Sequence, residues 1–374
     1  MFLFPNLKSN FFKKIDWTLL VVVFFLIFFG LAAIYSVALG RGTGEYLNFD
    51  KQLIWLAVGT IVMLIVSFLD YHLWQKIGWL GYFVSIILLI LVLTPLGSTI
   101  KGSSGWFDLG FFSFQPVEFA KFFLIIVMAD VCSRYTRNLH KFSQLIFMGV
   151  IVLIPLGLAV LQPDFGSGMM LFFIWLASFF LIVKNKWHVI IIISVIVLLA
   201  LGSWFFILHG YQQDRIKTFI DPSLDPLGRG YNVQQSVIAV GAGRLMGKGL
   251  GFGSQSQLKF IPESQTDFVF AVIAEEMGLL GVALVLVFFM IIFYRLSAVA
   301  RRAPDDFAMF LCLLIASLLF VHVFINVGMC LGLLPVTGIS LPLVSYGGSF
   351  LITVMILFGL VFSINRSSVI CRKS

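Results

Sequence analysis

Charge is what this sequence has least of. Only 11% of its 374 residues are Asp, Glu, Lys or Arg, against about 25% in a soluble domain. That scarcity excludes an ordinary water-soluble fold. The 60% hydrophobic content, 42 Phe and a mean hydropathy of +1.06 point to lipid as the solvent. Cysteine is nearly as scarce. Cys132, Cys312, Cys330 and Cys371 form no CxxC pair and no Cys/His cluster with ligand spacing. A disulfide framework is therefore not implied, and no metal site is expected. Basic stripes interleaved with aromatics are missing too, so the net charge of +8 does not point to nucleic acid.

What is present is a series of apolar runs. About 20 residues at 1.5 Å rise cover a hydrocarbon core of about 30 Å. Ten such runs occur, at 16–36, 51–69, 78–96, 115–132, 142–161, 165–183, 187–209, 267–294, 307–332 and 345–364. Backbone groups find no water inside a bilayer, so each run is expected to be helical. The fold class expected is an all-α polytopic membrane protein in a single domain, 1–374. Lys8, Lys13 and Lys14 precede the first run as in a signal peptide, but no small-residue cleavage site follows. That run reads as a retained span. Pro155 inside the fifth run predicts a kink.

Lys and Arg set the expected orientation. With the N-terminus inside, inside segments hold 15 of the 25, and the short outside loops hold only Arg41, Lys51 and Lys101. This places both termini in the cytoplasm. One long loop, 210–266, then faces outside. It contains a segment from Asn232 to Val240 that reads as a short amphipathic helix, then Gly241 to Gly253 with six Gly in 13 residues. Glycines at that density let backbone approach a ligand closely, and a loop this long is usually functional.

Several polar residues stand out against this background. Glu118 and Lys121 share one face of the fourth run. A charge inside a span faces a cavity or a partner, so they form either a structural ion pair or a site that neutralises an incoming anion. Asp267, where the long loop meets the eighth run, has three readings: a charge at a helix start, a loop anchor, or a general base at the membrane–water boundary. Asp164 either starts the sixth run as a cap or lines the same outer cavity. Trp106 is an interface anchor, or a residue that stacks on a sugar or contacts the substrate lipid. Glu275 and Glu276 are helix neighbours, so at most one is expected to reach a given cavity. His322 and Asn326 share a face of the ninth run and suit helix–helix hydrogen bonds. The uncharged stretch 332–349, which includes Ser345, is either a stiff re-entrant turn or a cavity lining.

These residues also carry a resemblance. Gln115-Pro-Val-Glu-Phe-Ala-Lys121, Gln162-Pro-Asp-Phe-Gly166, Asp225-Pro-Leu-Gly-Arg-Gly-Tyr231, Gln234-Gln-Ser236, Gly247-Lys-Gly249, Pro262-Glu-Ser-Gln-Thr-Asp-Phe-Val-Phe-Ala271, Glu275-Glu-Met-Gly278 and Leu341-Pro-Leu-Val-Ser-Tyr-Gly-Gly348 occur in this order. The chain resembles the SEDS family, for shape, elongation, division and sporulation, along nearly its whole length. Gly253-Ser-Gln255-Ser-Gln257-Leu258 makes it more similar to the elongation members than to the division members.

The resemblance implies a peptidoglycan glycosyltransferase of the bacterial inner membrane that polymerises lipid II, with inversion and release of undecaprenyl pyrophosphate. It implies Asp267 as the catalytic residue and Glu118 and Lys121 as the polar pair of the lipid II cavity; Asp164, Trp106, Glu276 and Ser345 are the further candidates for binding lipid II there. It implies a class B penicillin-binding protein and other elongation-complex membrane proteins as partners. No cofactor is evident, although a divalent cation, Mg or Mn, is compatible with a pyrophosphate substrate. Three positions depart from the family pattern: Gly105 where many relatives carry Arg, Gln265 where they usually carry His, and Phe350 in place of a small Ser. Two competing readings are a lipid II flippase, which needs a polar path and an alternating gate, and a scaffold for a penicillin-binding protein, which needs neither Lys121 nor Asp267. The nearest enzymatic alternative is a septal glycosyltransferase.

Overall fold

The computed structural model describes residues 15–41, 46–100, 103–108, 110, 113–135, 142–183 and 228–371, with scattered positions between 186 and 225. The expected span 187–209 and the loop stretch 210–227 lie largely outside the described residues, as do Lys8, Lys13 and Lys14.

Among the described residues, nine of the ten expected spans are helices. They are α1 (Trp17–Arg41), α2 (Tyr46–Phe68), α3 (Tyr71–Leu91), α4 (Pro116–Tyr135), α5 (Phe142–Leu161) and α6 (Phe165–Ile182), followed later in the chain by three more. After α6 come α7 (Arg229–Ala242), a short turn α8 (Ser254–Gln257), α9 (Val269–Arg301), α10 (Asp306–Cys330) and α11 (Gly348–Cys371). Helix α7 is the amphipathic segment expected within the long loop. Among the described residues, eight helices are long and apolar enough to cross a membrane. Helix α4 is not among them, because it carries Glu118, Lys121, Asp130 and Arg134. It is the most enclosed helix, buried almost all round from Pro116 to Cys132. A helix wrapped by other helices can carry paired charges that a lipid-facing helix cannot. Helix α5 continues through Pro155.

The stretch 98–114, expected as loop, holds a small antiparallel sheet in the order β1 (Ser98–Ile100), β2 (Ser103–Asp108), β3 (Ser113–Phe114). Ser, Thr and aromatic residues suit a half-buried pleated surface, and Ser104 N–H donates to Gln162 O at 3.2 Å, fixing the sheet on the end of α5.

The largest irregularity is in α9. Gly278 has φ 65° and ψ −164° inside an otherwise helical run. A break exposes backbone groups that the helix no longer pairs. The Gly-rich segment supplies their partners: Lys248 N–H donates to Glu275 O (3.0 Å), Gly249 N–H to Glu276 O (2.9 Å), while Leu279 N–H and Leu280 N–H donate to Arg244 O (2.9 Å) and Leu245 O (3.2 Å). The glycines thus bring backbone against a helix, where the sequence suggested a ligand. A Cβ at Gly278 would lie 2.3 Å from Gly247 N, and one at Gly247 would lie 2.2 Å from Glu276 O.

Gly278→Ala is therefore expected to lower stability by more than the backbone strain of about 1–3 kcal/mol alone. Gly241→Ala, which meets nothing within 4 Å, should leave the melting temperature nearly unchanged. Thermal unfolding in detergent, comparing the two variants, checks this.

Candidate active site

Asp267 lies in the turn segment 261–268 that leads into α9. Its own backbone and that of its two predecessors are fixed from across the molecule. Gln265 O accepts from Tyr346 N–H at 2.9 Å. Thr266 O accepts from Ser345 Oγ at 2.5 Å. Asp267 O accepts from Asn326 Nδ2 at 2.8 Å, and Cys330 Sγ lies 3.7 Å from the same oxygen. Three consecutive carbonyls are captured by α10 and the segment 332–347. On the other side, the N–H groups of Thr266, Asp267 and Phe268 all donate to Glu263 O. The turn is rigid because both sides of its backbone are paired, while Asp267 itself is only partly buried.

The segment 332–347 is the hub of this arrangement. Asn326 Nδ2 also donates to Ile339 O at 2.7 Å. His322 Nδ1 lies 3.2 Å from Ser340 O, so its Nδ1–H is the donor. Gln52 grips the far end, donating to Ser345 O (3.3 Å) and accepting from Gly347 N–H (3.2 Å). Burial pushes the Tyr346 hydroxyl above its ordinary pKa.

The charged pair of α4 is linked to the hub through Phe350 of α11 and His322. Lys121 Nζ lies 2.6 Å from Glu118 Oε1, with both side chains buried. The ammonium also lies 5.6 Å from the centroid of the Phe350 ring, near enough for a cation–π attraction. The other stacking partner of Phe350 is His322, at 4.9 Å. The residue that departs from the family pattern thus fills the space between the cation and the imidazole.

Asp164 caps α6, accepting from Ser167 N–H (3.0 Å), and its other oxygen accepts from Gln115 Nε2 (3.1 Å). Its neighbour Gly166 abuts the hub so closely that a Cβ would lie 2.6 Å from Thr337 O. Trp106 is half-buried in β2, paired across to Ser98, and Gly105 beside it faces Gln162. Ser349 Oγ donates to Ser113 O at 3.1 Å, tying β3 to α11. Asp267, Glu118, Lys121, Asp164 and Ser345 are thus all connected through one hub, with Trp106 at its edge. The Ser345 hydroxyl is committed to backbone, donating to Thr266 O and accepting from Leu341 N–H.

Glu276 belongs to a different cluster. Its Oε1 accepts from Ser36 Oγ (2.6 Å), Ser256 Oγ (3.1 Å) and Gln257 Nε2 (3.3 Å). Glu275 accepts from Lys248 Nζ (2.8 Å), Gln255 N–H (2.9 Å) and Ser256 N–H (3.1 Å). Contrary to the expectation that adjacent residues diverge, both carboxylates serve one feature, the turn α8, because that turn wraps around the helix beside its break.

Sequence reasoning gave no role to Asn48 or Gln52. Asn48 Nδ2 donates to Gln265 Oε1 at 2.7 Å, so the Gln265 side chain is anchored to α2. The available signal was two amides one turn apart at the start of an apolar helix. Asn326→Leu removes the amide that donates to both Asp267 O in the turn and Ile339 O in the hub. It is expected to lower turnover by about 10²-fold, the effect of misplacing a reacting group by about 1 Å, with lipid substrate binding retained. Initial rates and a binding isotherm on the same preparation test it.

Residues 16–369 match the family model described as cell cycle protein, of FtsW, RodA and SpoVE. The chain is 37% identical over 381 residues to the peptidoglycan glycosyltransferase MrdB of Escherichia coli (strain K12), covering 99% of each. It is 36% identical to a probable peptidoglycan glycosyltransferase FtsW of Trichlorobacter lovleyi, over 94% of this chain and 93% of that one. Among solved structures it resembles a chain from a peptidoglycan synthase complex that coordinates polymerization and crosslinking, with TM-score 0.79, 30% identity and coverage of 95% and 98%. It also resembles the rod shape determining protein RodA of Thermus thermophilus, with TM-score 0.71, 27% identity and coverage of 97% and 99%.

Proposed function

The chain belongs to the FtsW, RodA and SpoVE family of cell cycle proteins, and from that premise we propose how it works as a peptidoglycan glycosyltransferase of the elongation type. It is a multi-pass protein of the bacterial inner membrane. Its substrate is lipid II, and its product is a glycan strand. The acceptor sugar's 4-hydroxyl oxygen attacks the anomeric carbon of the donor from the face opposite the pyrophosphate. The new C–O bond forms as the old one breaks, undecaprenyl pyrophosphate leaves, and the anomeric configuration inverts. The hydroxyl proton passes to the Asp267 carboxylate.

The observation that carries this reading is the carbonyl capture at 265–267. It holds the carboxylate of a partly buried residue on a fixed backbone, as a general base requires. Lys121, held by Glu118, supplies positive charge for the departing pyrophosphate. Asp164 and Trp106 are assigned to the sugar side of the cavity. Ser345 acts by positioning Thr266, and Glu276 by anchoring α8. Among the described residues no three His, Cys, Asp or Glu side chains gather. A divalent cation would therefore come with the pyrophosphate, in the manner of Mg²⁺ held by phosphates and one or two carboxylates. The partner is a class B penicillin-binding protein with one transmembrane helix, docking on the later spans and the extracytoplasmic loops, within an assembly of elongation-complex membrane proteins.

The test is purified protein incubated with lipid II, with and without that transpeptidase, and read on a gel. Glycan polymer in the complete reaction is the expected outcome. Lipid II consumed without polymer, or moved across vesicles without polymer, overturns the reading.

A further inference from the structure

The segment between Gly243 and Lys259 presents large apolar side chains outward. Met246 is 80% exposed and Phe252 77%, with Leu245, Leu250 and Leu258 each more than half exposed. Its backbone, in contrast, is tightly bound to the protein through the break in α9 and through Gly251 N–H, which donates to Ser36 Oγ at 2.8 Å. The exposed side chains therefore sit on a fixed frame.

The burial pattern of α9 says where that frame lies. From Val269 to Glu276 the helix is buried on every side, and from Leu279 onward exposed and buried residues alternate in a stripe. In a span with exposed leucines at 279, 280 and 284, that stripe faces lipid. Gly278 thus marks the level at which the helix leaves the protein's interior and meets the bilayer. The segment is hydrogen-bonded to Leu279 and Leu280 at that level, and Gly251 lies against Leu39 near the end of α1, itself half exposed. The apolar side chains are continuous with the lipid-facing belt.

Charge points the same way. Residues 241–262 contain Arg244, Lys248 and Lys259 and no acidic residue. Lys248 is engaged by Glu275, while Arg244 and Lys259 are exposed. An apolar surface flanked by exposed cations fits the interface of an anionic phospholipid leaflet.

We propose that the segment 244–258 is a membrane anchor that seats Leu245, Met246, Leu250 and Phe252 among the acyl chains, with Arg244 and Lys259 at anionic headgroups. The anchor holds α9 at its break. The nine residues from Val269 to Met277 then carry the Asp267 turn about 14 Å along the helix axis from that level. The anchor therefore fixes the reach of Asp267 relative to the membrane surface.

The test uses the full chain in nanodiscs of phosphatidylethanolamine with phosphatidylglycerol. Nitroxide labels are placed at Met246→Cys and Phe252→Cys, with Glu263→Cys as the exposed polar reference, all in a Cys371→Ser background. The native cysteines that remain are buried. Collision with oxygen relative to a water-soluble nickel complex should be several-fold higher at positions 246 and 252 than at 263. The Arg244→Gln/Lys259→Gln pair should bring the 252 label closer to water in these nanodiscs and leave it unmoved in purely zwitterionic ones. Nickel access equal to that at 263 overturns the anchor. Protection from both relaxants also overturns it, since it means that a protein, either a second copy or another chain, covers the surface. A label depth that ignores lipid charge in the parent chain overturns the headgroup role of Arg244 and Lys259.

Discussion

Asp267→Asn is expected to lower glycan polymer formation by about 10³-fold, within the 10²–10⁴-fold range of a lost general base. The substitution keeps the shape of the side chain and removes its capacity to take a proton. The fold should survive, because the turn is held through main-chain groups: the carbonyls of 265, 266 and 267 keep their donors from Tyr346, Ser345 and Asn326. Asp267→Glu should retain a small residual rate, since the carboxylate remains but is displaced by one methylene. Gly338 lies beside it, where even a Cβ would come within 3.5 Å of Asp267 Oδ2. Initial rates of polymer formation from lipid II measure both variants, with thermal unfolding as the fold control. Polymer at the parent rate from Asp267→Asn would remove the carboxylate from the chemistry.

The second large effect is expected at the buried ion pair. Lys121→Met leaves Glu118 buried without its cation, and breaking a buried pair from one side costs about 3–5 kcal/mol. The single variant therefore loses stability and activity together and says little about mechanism. The double variant Glu118→Gln/Lys121→Met separates the two. Replacing a buried pair with neutral groups of similar volume is often neutral in stability, and Met can still lie against Phe350, which Lys121 now faces. The double variant should melt close to the parent and form little polymer, because no cation remains near the leaving pyrophosphate. Parent-level polymer from a well-folded double variant would return the pair to a purely structural role.

Much of this arrangement was legible in the chain, and the pattern of what was not is instructive. The spans are readable because the bilayer imposes one length and one composition on each, and nine of them fall on helices whose ends lie within seven residues of those expected. Asp267, Glu118 and Lys121 are readable because charge beside or within apolar runs is expensive. The partners of those residues are not readable. Asn326 meets Asp267 across 59 positions, and Ser36 meets Glu276 across 240. No local periodicity encodes contacts at that separation. The glycines of 241–253 were recognisable as a demand for close backbone approach, but a glycine does not say what approaches it. Here the answer is a helix with unpaired backbone groups. The sheet at 98–114 escaped notice because its strands are only two to six residues long, too short for alternation to register.

The break at Gly278 also bears on how the chain is made. The segment 279–301 is about 34 Å long as a helix, sufficient by itself to be recognised and released into lipid during synthesis. The preceding piece, 269–277, carries two carboxylates and is enclosed by the rest of the protein from Val269 to Glu276. Its broken backbone bonds are completed by residues 244–249, which leave the ribosome earlier. The order of translation therefore delivers the splint before the fracture. A ribosome-stalled nascent chain that ends just past residue 301 should already contain the two parts that must join.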